Sequence, residues 1–262
     1  MLSVSPCIEM FWPKTGFAER IFKVAALGFS AYEFWGWWDR DLDAVEKATK
    51  DTGLAVAACC VKTSFSGDCP SMLAPGGSQP FVAAVQDCLP LARRLGCRTF
   101  IVTTGNEMKE LPRAEQHGAC VAALKAACPV AEDGGITLVV EPLNLLVDHA
   151  GYYLSTSAEG FQIVEEVGSP AVKLLFDIYH QQITEGNLTR NICDTIDKIG
   201  HFHVANNPGR HEPALGEIDY AYLFGRIAQC GYSKYLGLEF SPSKPEATEA
   251  ILRGVLDLAK TT

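Results

Sequence analysis

Short β-rich apolar runs alternate with longer amphipathic runs about eight times along this chain, and no other feature narrows its possible folds as much. Strands are expected at Ser3–Ile8, Ala31–Trp35, Leu54–Val61 and Thr99–Thr103, then at Ile136–Glu141, Val172–Asp177, Ile199–Ala205 and Tyr235–Phe240. Between and after them, helical spacing runs over Gly16–Leu27, Leu42–Thr52, Pro80–Leu95, Arg113–Glu132, Ala158–Val167, Leu188–Lys198, Tyr220–Gln229 and Ala247–Ala259. A Gly/Pro/Ser-rich loop is read over residues 64–78. Nearly continuous apolar strands separated by helices mean a parallel sheet covered on its outer face. Eight such units predict an α/β fold, a single (β/α)8 TIM barrel over residues 1–262, with a doubly wound open sheet as the alternative. The length of 262 residues suits one such barrel, and no linker divides it.

Several function classes are disfavoured at once. A net charge of -9 argues against nucleic acid, whose phosphates call for clustered Lys and Arg. No run approaches the roughly 18 apolar residues of a membrane span. No basic stretch followed by an apolar run opens the chain, and no Gly-x-Gly-x-x-Gly or Gly-x-x-x-x-Gly-Lys follows a strand, so nucleotide cofactors have no support. Nine of the 10 cysteines, Cys193 and Cys230 among them, sit in apolar runs without Cys-x-x-Cys or zinc spacing. They read as buried free thiols in a reducing cytoplasm, with an incidental bridge as the alternative.

In a barrel the chemistry gathers at the C-terminal strand ends. The fifth strand ends on Glu141, the sixth on Asp177 with His180 just beyond, the seventh carries His201 and His203, and the eighth ends on Glu239. Each alone has a plainer reading: a solvated strand end, a helix cap for Asp177, a core histidine for His203. Their coincidence on four consecutive strands favours a metal site. Three carboxylates with one imidazole suit Mn2+, Mg2+ or Co2+ better than a structural zinc. His201 and His203 share a strand face, so period alone leaves both open; His203 lies nearer the strand's end and is preferred, with His201 deeper and hydrogen-bonded inside. Arg210, in a Pro-Gly turn, is a candidate for a carboxylate or a pair of neighbouring oxygens. Glu217 could brace it or His211, or begin a helix. Phe11, Trp12, Trp35, Trp37 and Trp38 either wall a small pocket or face a partner subunit.

The motifs Glu141-Pro142-Leu143-Asn144, Phe176-Asp177-Ile178-Tyr179-His180, Pro208-Gly209-Arg210-His211-Glu212-Pro213, Gly216-Glu217-Ile218 and Gly237-Leu238-Glu239 resemble the hydroxypyruvate isomerase family of the xylose isomerase-like barrels, relatives of the ketose 3-epimerases. The resemblance spans nearly the whole chain. It implies a divalent metal held by Glu141, Asp177, His203 and Glu239, with the two glutamates as the proton-transfer pair and His180 and Arg210 on the substrate's oxygens. It implies isomerisation of a small hydroxy-oxo acid or sugar through a cis-enediolate, and a homo-oligomer. The sequence departs from the family in places. His203 stands where hydroxypyruvate isomerases can carry Gln and looks more like the epimerases; Asn206-Asn207 replaces a common acidic residue, and Ala214-Leu215 replaces a Gly-Thr pair. A ketose 3-epimerase, or an isomerase of a modified sugar, is therefore the second reading, and a non-catalytic sugar-binding or partner-dependent barrel the third.

Overall fold

The computed structural model describes residues 2–65 and 69–261; the loop read over 64–78 lies outside them at 66–68. Nine strands occupy eight positions: β1 (Ser3–Pro6), β2 (Ala31–Tyr32), β3 (Ala55–Val56), β4 (Cys59–Cys60), β5 (Thr99–Val102), β6 (Thr137–Val140), β7 (Val172–Asp177), β8 (Ile199–Val204) and β9 (Tyr235–Leu238). β1 and β4 through β9 form one seven-stranded sheet in the order β1-β9-β8-β7-β6-β5-β4, while β2 pairs with β3. Every pairing is parallel.

Backbone hydrogen bonds close the ring. Glu33 N–H donates to Pro6 O at 3.0 Å and Ile8 N–H to Glu33 O at 2.9 Å, joining β1 to β2. On the other side Ala57 N–H reaches Tyr32 O at 2.8 Å and Cys60 N–H reaches Trp35 O at 3.0 Å. The expected third strand, Leu54–Val61, is thus one path interrupted at Ala57 and Ala58, paired first with β2 and then with β5. The arrangement is the expected barrel, not the open sheet.

Seven helices match the expected ones within a few residues, α1 (Phe17–Ala26), α2 (Leu42–Thr52), α3 (Ser78–Leu95), α4 (Arg113–Gly134), α5 (Ser157–Val167), α8 (Tyr220–Gln229) and α9 (Thr248–Thr261), and an eighth, α7 (Leu188–Cys193), is shorter than expected. Asp41, Thr156 and Asp219 cap α2, α5 and α8 by accepting from first-turn N–H groups. The sixth unit differs. A short helix, α6 (Ile178–Thr184), begins directly at the end of β7, with Asp177 as its cap accepting from His180 N–H. Gly186 and Asn187 then turn at positive φ before α7, and the helix expected over 188–198 ends at Cys193, followed by a 3-10 turn at Ile196–Lys198. The cysteine reading is also corrected. Cys193, at the end of α7, and Cys230, after α8, are disulfide-bonded with Cα atoms 5.8 Å apart; the other eight are free. Two helix ends packed side by side bring together residues whose sequence spacing carries no signal.

Inside the barrel Ala58, Ile101, Val139 and Leu175 form an apolar plug separate from the main core between sheet and helices. Two residues further along the same strands, hence on the same face, stand Cys60, Thr103, Glu141 and Asp177. The plug thus floors a polar layer at the C-terminal mouth.

Candidate functional site

Glu141, Asp177, His203 and Glu239 offer one ligand atom each, and those atoms lie within 4.8 Å of one another. All four residues are buried. His203 is the hub: its Nδ1 is 3.0 Å from Glu141 Oε1, 3.4 Å from Glu239 Oε2 and 3.9 Å from Asp177 Oδ2. Three oxygens and one nitrogen converging in a buried pocket fit a hard divalent cation. Charges this close reshape each other's protonation. Burial pushes the His203 imidazole down, yet Glu239 and Glu141 outweigh it and raise it well above the usual histidine range. Burial raises Glu141 despite His203, and raises Asp177 despite Arg210. Glu239 goes the other way: burial works upward, but His203, Arg210 and His180 hold its carboxyl below the ordinary value.

His180 owes its orientation to Asn144. The Asn144 side-chain oxygen accepts from the Val147 and Asp148 N–H groups at 2.9 and 3.2 Å, so its amide nitrogen is the face turned to His180 Nδ1, at 2.6 Å. The Asn144 backbone N–H adds a donation to the same nitrogen at 3.3 Å. Nδ1 is therefore an acceptor, and the ring proton sits on Nε2. That atom is buried, 3.6 Å from Asp177 Oδ2, with no hydrogen-bond partner among the described residues. Burial, then the charge of Arg210, pushes His180 well below the usual histidine range, keeping it a neutral donor.

Arg210 enters from the loop after β8. Asn206 builds that loop: its amide donates to Pro213 O and Ile218 O at 2.8 and 3.0 Å, and its Oδ1 accepts from Ile218 N–H at 3.0 Å. Gly216 (φ 139°) passes so close that a Cβ there would stand 2.4 Å from Asn206 Oδ1. Arg210 itself sits at φ 54° after a cis Asn207–Pro208 bond and a Gly209. Its Nη2 bonds Glu239 Oε2, its guanidinium lies 5.4 Å from the Tyr179 ring centre, and its Nε is buried with no hydrogen-bond partner among the described residues.

A cavity of about 280 Å³ opens over these groups, lined by Trp35, Cys60, Phe65, Thr103, Leu143 and His149 together with Glu141, His180, Arg210 and Glu239. It is at the small end for ligand pockets, and its walls are aromatic and aliphatic over a charged floor.

A family model for xylose isomerase-like TIM barrels matches residues 21–258. The chain belongs to this family. Among characterised relatives of the barrel, the hydroxypyruvate isomerase of Escherichia coli (strain K12) is 30% identical over 255 residues, covering 97% of this chain and 98% of its own. The 2-oxo-tetronate isomerase of Cupriavidus necator is 30% identical over 237 residues, 90% of this chain and 91% of its own. A solved structure from Brucella melitensis, described as an AP endonuclease of family 2, superposes with a TM-score of 0.91 at 29% identity, covering 98% and 99% of the two chains. The fold and the family resemblance expected from the motifs are borne out.

The mouth of this xylose isomerase-like barrel gathers all six expected site residues: Glu141, Asp177, His203 and Glu239 in the cluster, His180 and Arg210 beside it. His201 lies deeper and faces Glu33 at 3.0 Å, the internal hydrogen bond expected of it. Glu217 bonds Gln182 and Asn207 at the surface and does not brace Arg210. Of the aromatics, Trp35 lines the pocket, while Phe11 is buried against Phe240. Sequence reasoning missed Glu33, His149 and the orienting role of Asn144. A charged residue inside the apolar run Ala31–Trp35 was the signal for Glu33. His149 carried none, since it lies in a loop. Among the described residues no helix is long and apolar enough to cross a membrane.

Proposed function

We propose that this isomerase interconverts a small hydroxy-oxo acid, such as hydroxypyruvate, through a cis-enediolate at a divalent-metal centre. Glu141, Asp177, His203 and Glu239 would hold the ion, Mn2+, Mg2+ or Co2+. When bound, it supplies positive charge next to the substrate's oxygens, where negative charge builds during proton abstraction. The observation that carries the reading is a pair of buried side-chain donors beside the carboxylate cluster. His180 Nε2–H and Arg210 Nε–H are buried with no hydrogen-bond partner among the described residues, and both side chains line the cavity. Buried donors without partners cost stability, roughly 1–3 kcal/mol each, so a ligand's oxygens are their natural complement.

Glu141 and Glu239 are the proton-transfer pair. One carboxylate removes the proton from the hydroxyl-bearing carbon beside the carbonyl, the other carboxyl returns a proton to the former carbonyl carbon, and the hydroxyl's proton passes to the former carbonyl oxygen. Arg210 pairs with the acid's carboxylate by its forked donors, and His180 donates to the carbonyl or hydroxyl oxygen. The aromatic wall of Trp35 and Phe65 limits water over the enediolate.

His203 supports a second reading, a ketose 3-epimerase, because the family's epimerases resemble this chain at that position. The net charge of -9 weighs against a nucleic-acid backbone as substrate. Turnover of hydroxypyruvate compared with a ketose panel tests the choice: strong activity on ketoses and none on the acid would sink the first reading. Loss of turnover on chelation, with recovery on adding Mn2+, tests catalysis by a metal centre.

A further inference from the structure

Glu33 lies directly behind His203, on the side away from the four-residue cluster. Its Oε1 is 3.1 Å from His203 Nε2, its Oε2 is 3.0 Å from His201 Nε2, and Oε2 also accepts from Ser5 Oγ at 2.8 Å. It is 1% exposed. A buried carboxylate is tolerated only when surrounded by donors, and here β1 and β8 supply all three. The strand between β1 and β8 makes room: on β9 a Cβ on Gly237, in register with Ser5 and His203, would stand 2.1 Å from Glu33 Oε1. Side chain, partners and clearance therefore come from four different strands or strand ends, all aimed at one carboxylate.

The two nitrogens of His203 face opposite environments. Nδ1 points at Glu141, Asp177 and Glu239, and Nε2 points at Glu33. A ligating ring nitrogen carries no proton, so the ring's proton must reside on the other. Nε2 and Glu33 Oε1 face each other at 3.1 Å, and neither has a hydrogen-bond partner among the described residues.

We propose that Glu33 is a positioning residue for the metal centre. Through Nε2 it fixes the tautomer and orientation of His203 so that Nδ1 is the ligating atom, while Ser5 and His201 hold the carboxylate in place. The inference rests on reading Glu141, Asp177, His203 and Glu239 as a divalent-metal site. Carboxylates behind a ligating histidine raise its basicity, and their loss typically weakens metal binding about 10–100-fold. Glu33, His201 and His203 also form a group that could itself hold an ion, so stoichiometry separates the two roles.

Titration with Co2+ alone, followed by its visible ligand-field band, tests the assignment without any substrate. The wild-type protein is expected to bind one Co2+ per chain. Glu33→Gln should still bind one, about 10–100-fold more weakly and with a shifted band, while its far-UV circular dichroism stays unchanged. Wild-type affinity and band in Glu33→Gln would overturn the positioning role. So would two Co2+ per chain falling to one, which would make Glu33 a ligand of its own site. Asp177→Asn is the control for the underlying centre. If it binds Co2+ as the wild type does, or if the wild type binds none, the metal reading itself falls and takes the inference with it. Should Glu33→Gln not fold, Ser5→Ala removes one bond to the same carboxylate. A loss of about two- to tenfold in Co2+ affinity is expected, and an unchanged affinity and band would overturn the proposal.

Discussion

Trp35 donates its indole N–H to Glu239 Oε1 at 2.7 Å, and so leaves the other oxygen of that carboxylate to Arg210 and the cluster. An aromatic from the end of the second barrel position thereby sets the rotamer of a carboxylate on the eighth. Trp35→Phe keeps the wall but removes the donor. A hydrogen bond to a charged group is worth about 1.5–3 kcal/mol, discounted because Trp35 is 36% exposed, so kcat/KM should fall about tenfold. Steady-state kinetics on the preferred substrate checks it; an undiminished kcat/KM would mean that Glu239 keeps its pose without the indole.

Glu141→Gln and Glu239→Gln should each remove turnover while the fold survives, since the amide is isosteric and cannot relay a proton. Positioned acid–base groups contribute about 10²–10⁴-fold, so each variant should lose at least that much in kcat. Proton exchange between substrate carbon and deuterated water, followed by NMR, measures each half of the transfer. Full activity in either variant would end the two-glutamate mechanism.

Arg210→Ala discriminates between substrate classes. For an acid substrate the lost charge-assisted contact should raise KM about 10–100-fold, whereas a neutral ketose should show a smaller change. Equal KM increases for acid and ketose would argue against a carboxylate grip. The loop should remain in place in this variant, because Asn206 and not Arg210 carries its internal hydrogen bonds.

Much of this site was legible in the sequence because barrel geometry converts position into location. Glu141, Asp177 and Glu239 each close an apolar run, and period two places them on the interior face with Val139, Leu175 and Gly237. His203 follows from the same rule once the strand's end is known. Glu33 was hidden for the opposite reason: it lies inside its run, and the bare Gly237 on β9 and the paired histidines on β8 show that the interior tolerates its charge. The helix α6 escaped because seven residues are too few for a helical period to emerge. Asn144 was visible as a motif member, but its function depends on a loop turn that fixes its amide, which no spacing reports.

The Cys193–Cys230 bond predicts a thiol count. Denatured without reductant, the protein should expose eight reactive thiols, and ten after reduction. The bond spans 37 residues, so its loss should cost about 2–4 kcal/mol of stability by the chain-entropy account. Urea unfolding of Cys193→Ser checks the magnitude. Ten thiols without reductant would show the pair to be open in the purified protein.

Removing the metal should lower stability as well as activity. Glu141, Asp177 and Glu239 crowd around a single imidazole, and burial already raises Glu141 and Asp177, so a bound divalent cation relieves like-charge repulsion only in the folded chain. Binding to the native state alone stabilises by RT ln(1 + [L]/Kd), about 2.7 kcal/mol at a hundredfold excess over Kd. Adding Mn2+ to chelated protein should therefore raise Tm by several degrees, and more as its concentration rises. The Asp177→Asn variant should show little of this gain. A Tm independent of Mn2+ in the wild type, with turnover unaffected by chelation, would remove the metal from the mechanism and leave the carboxylates to act alone.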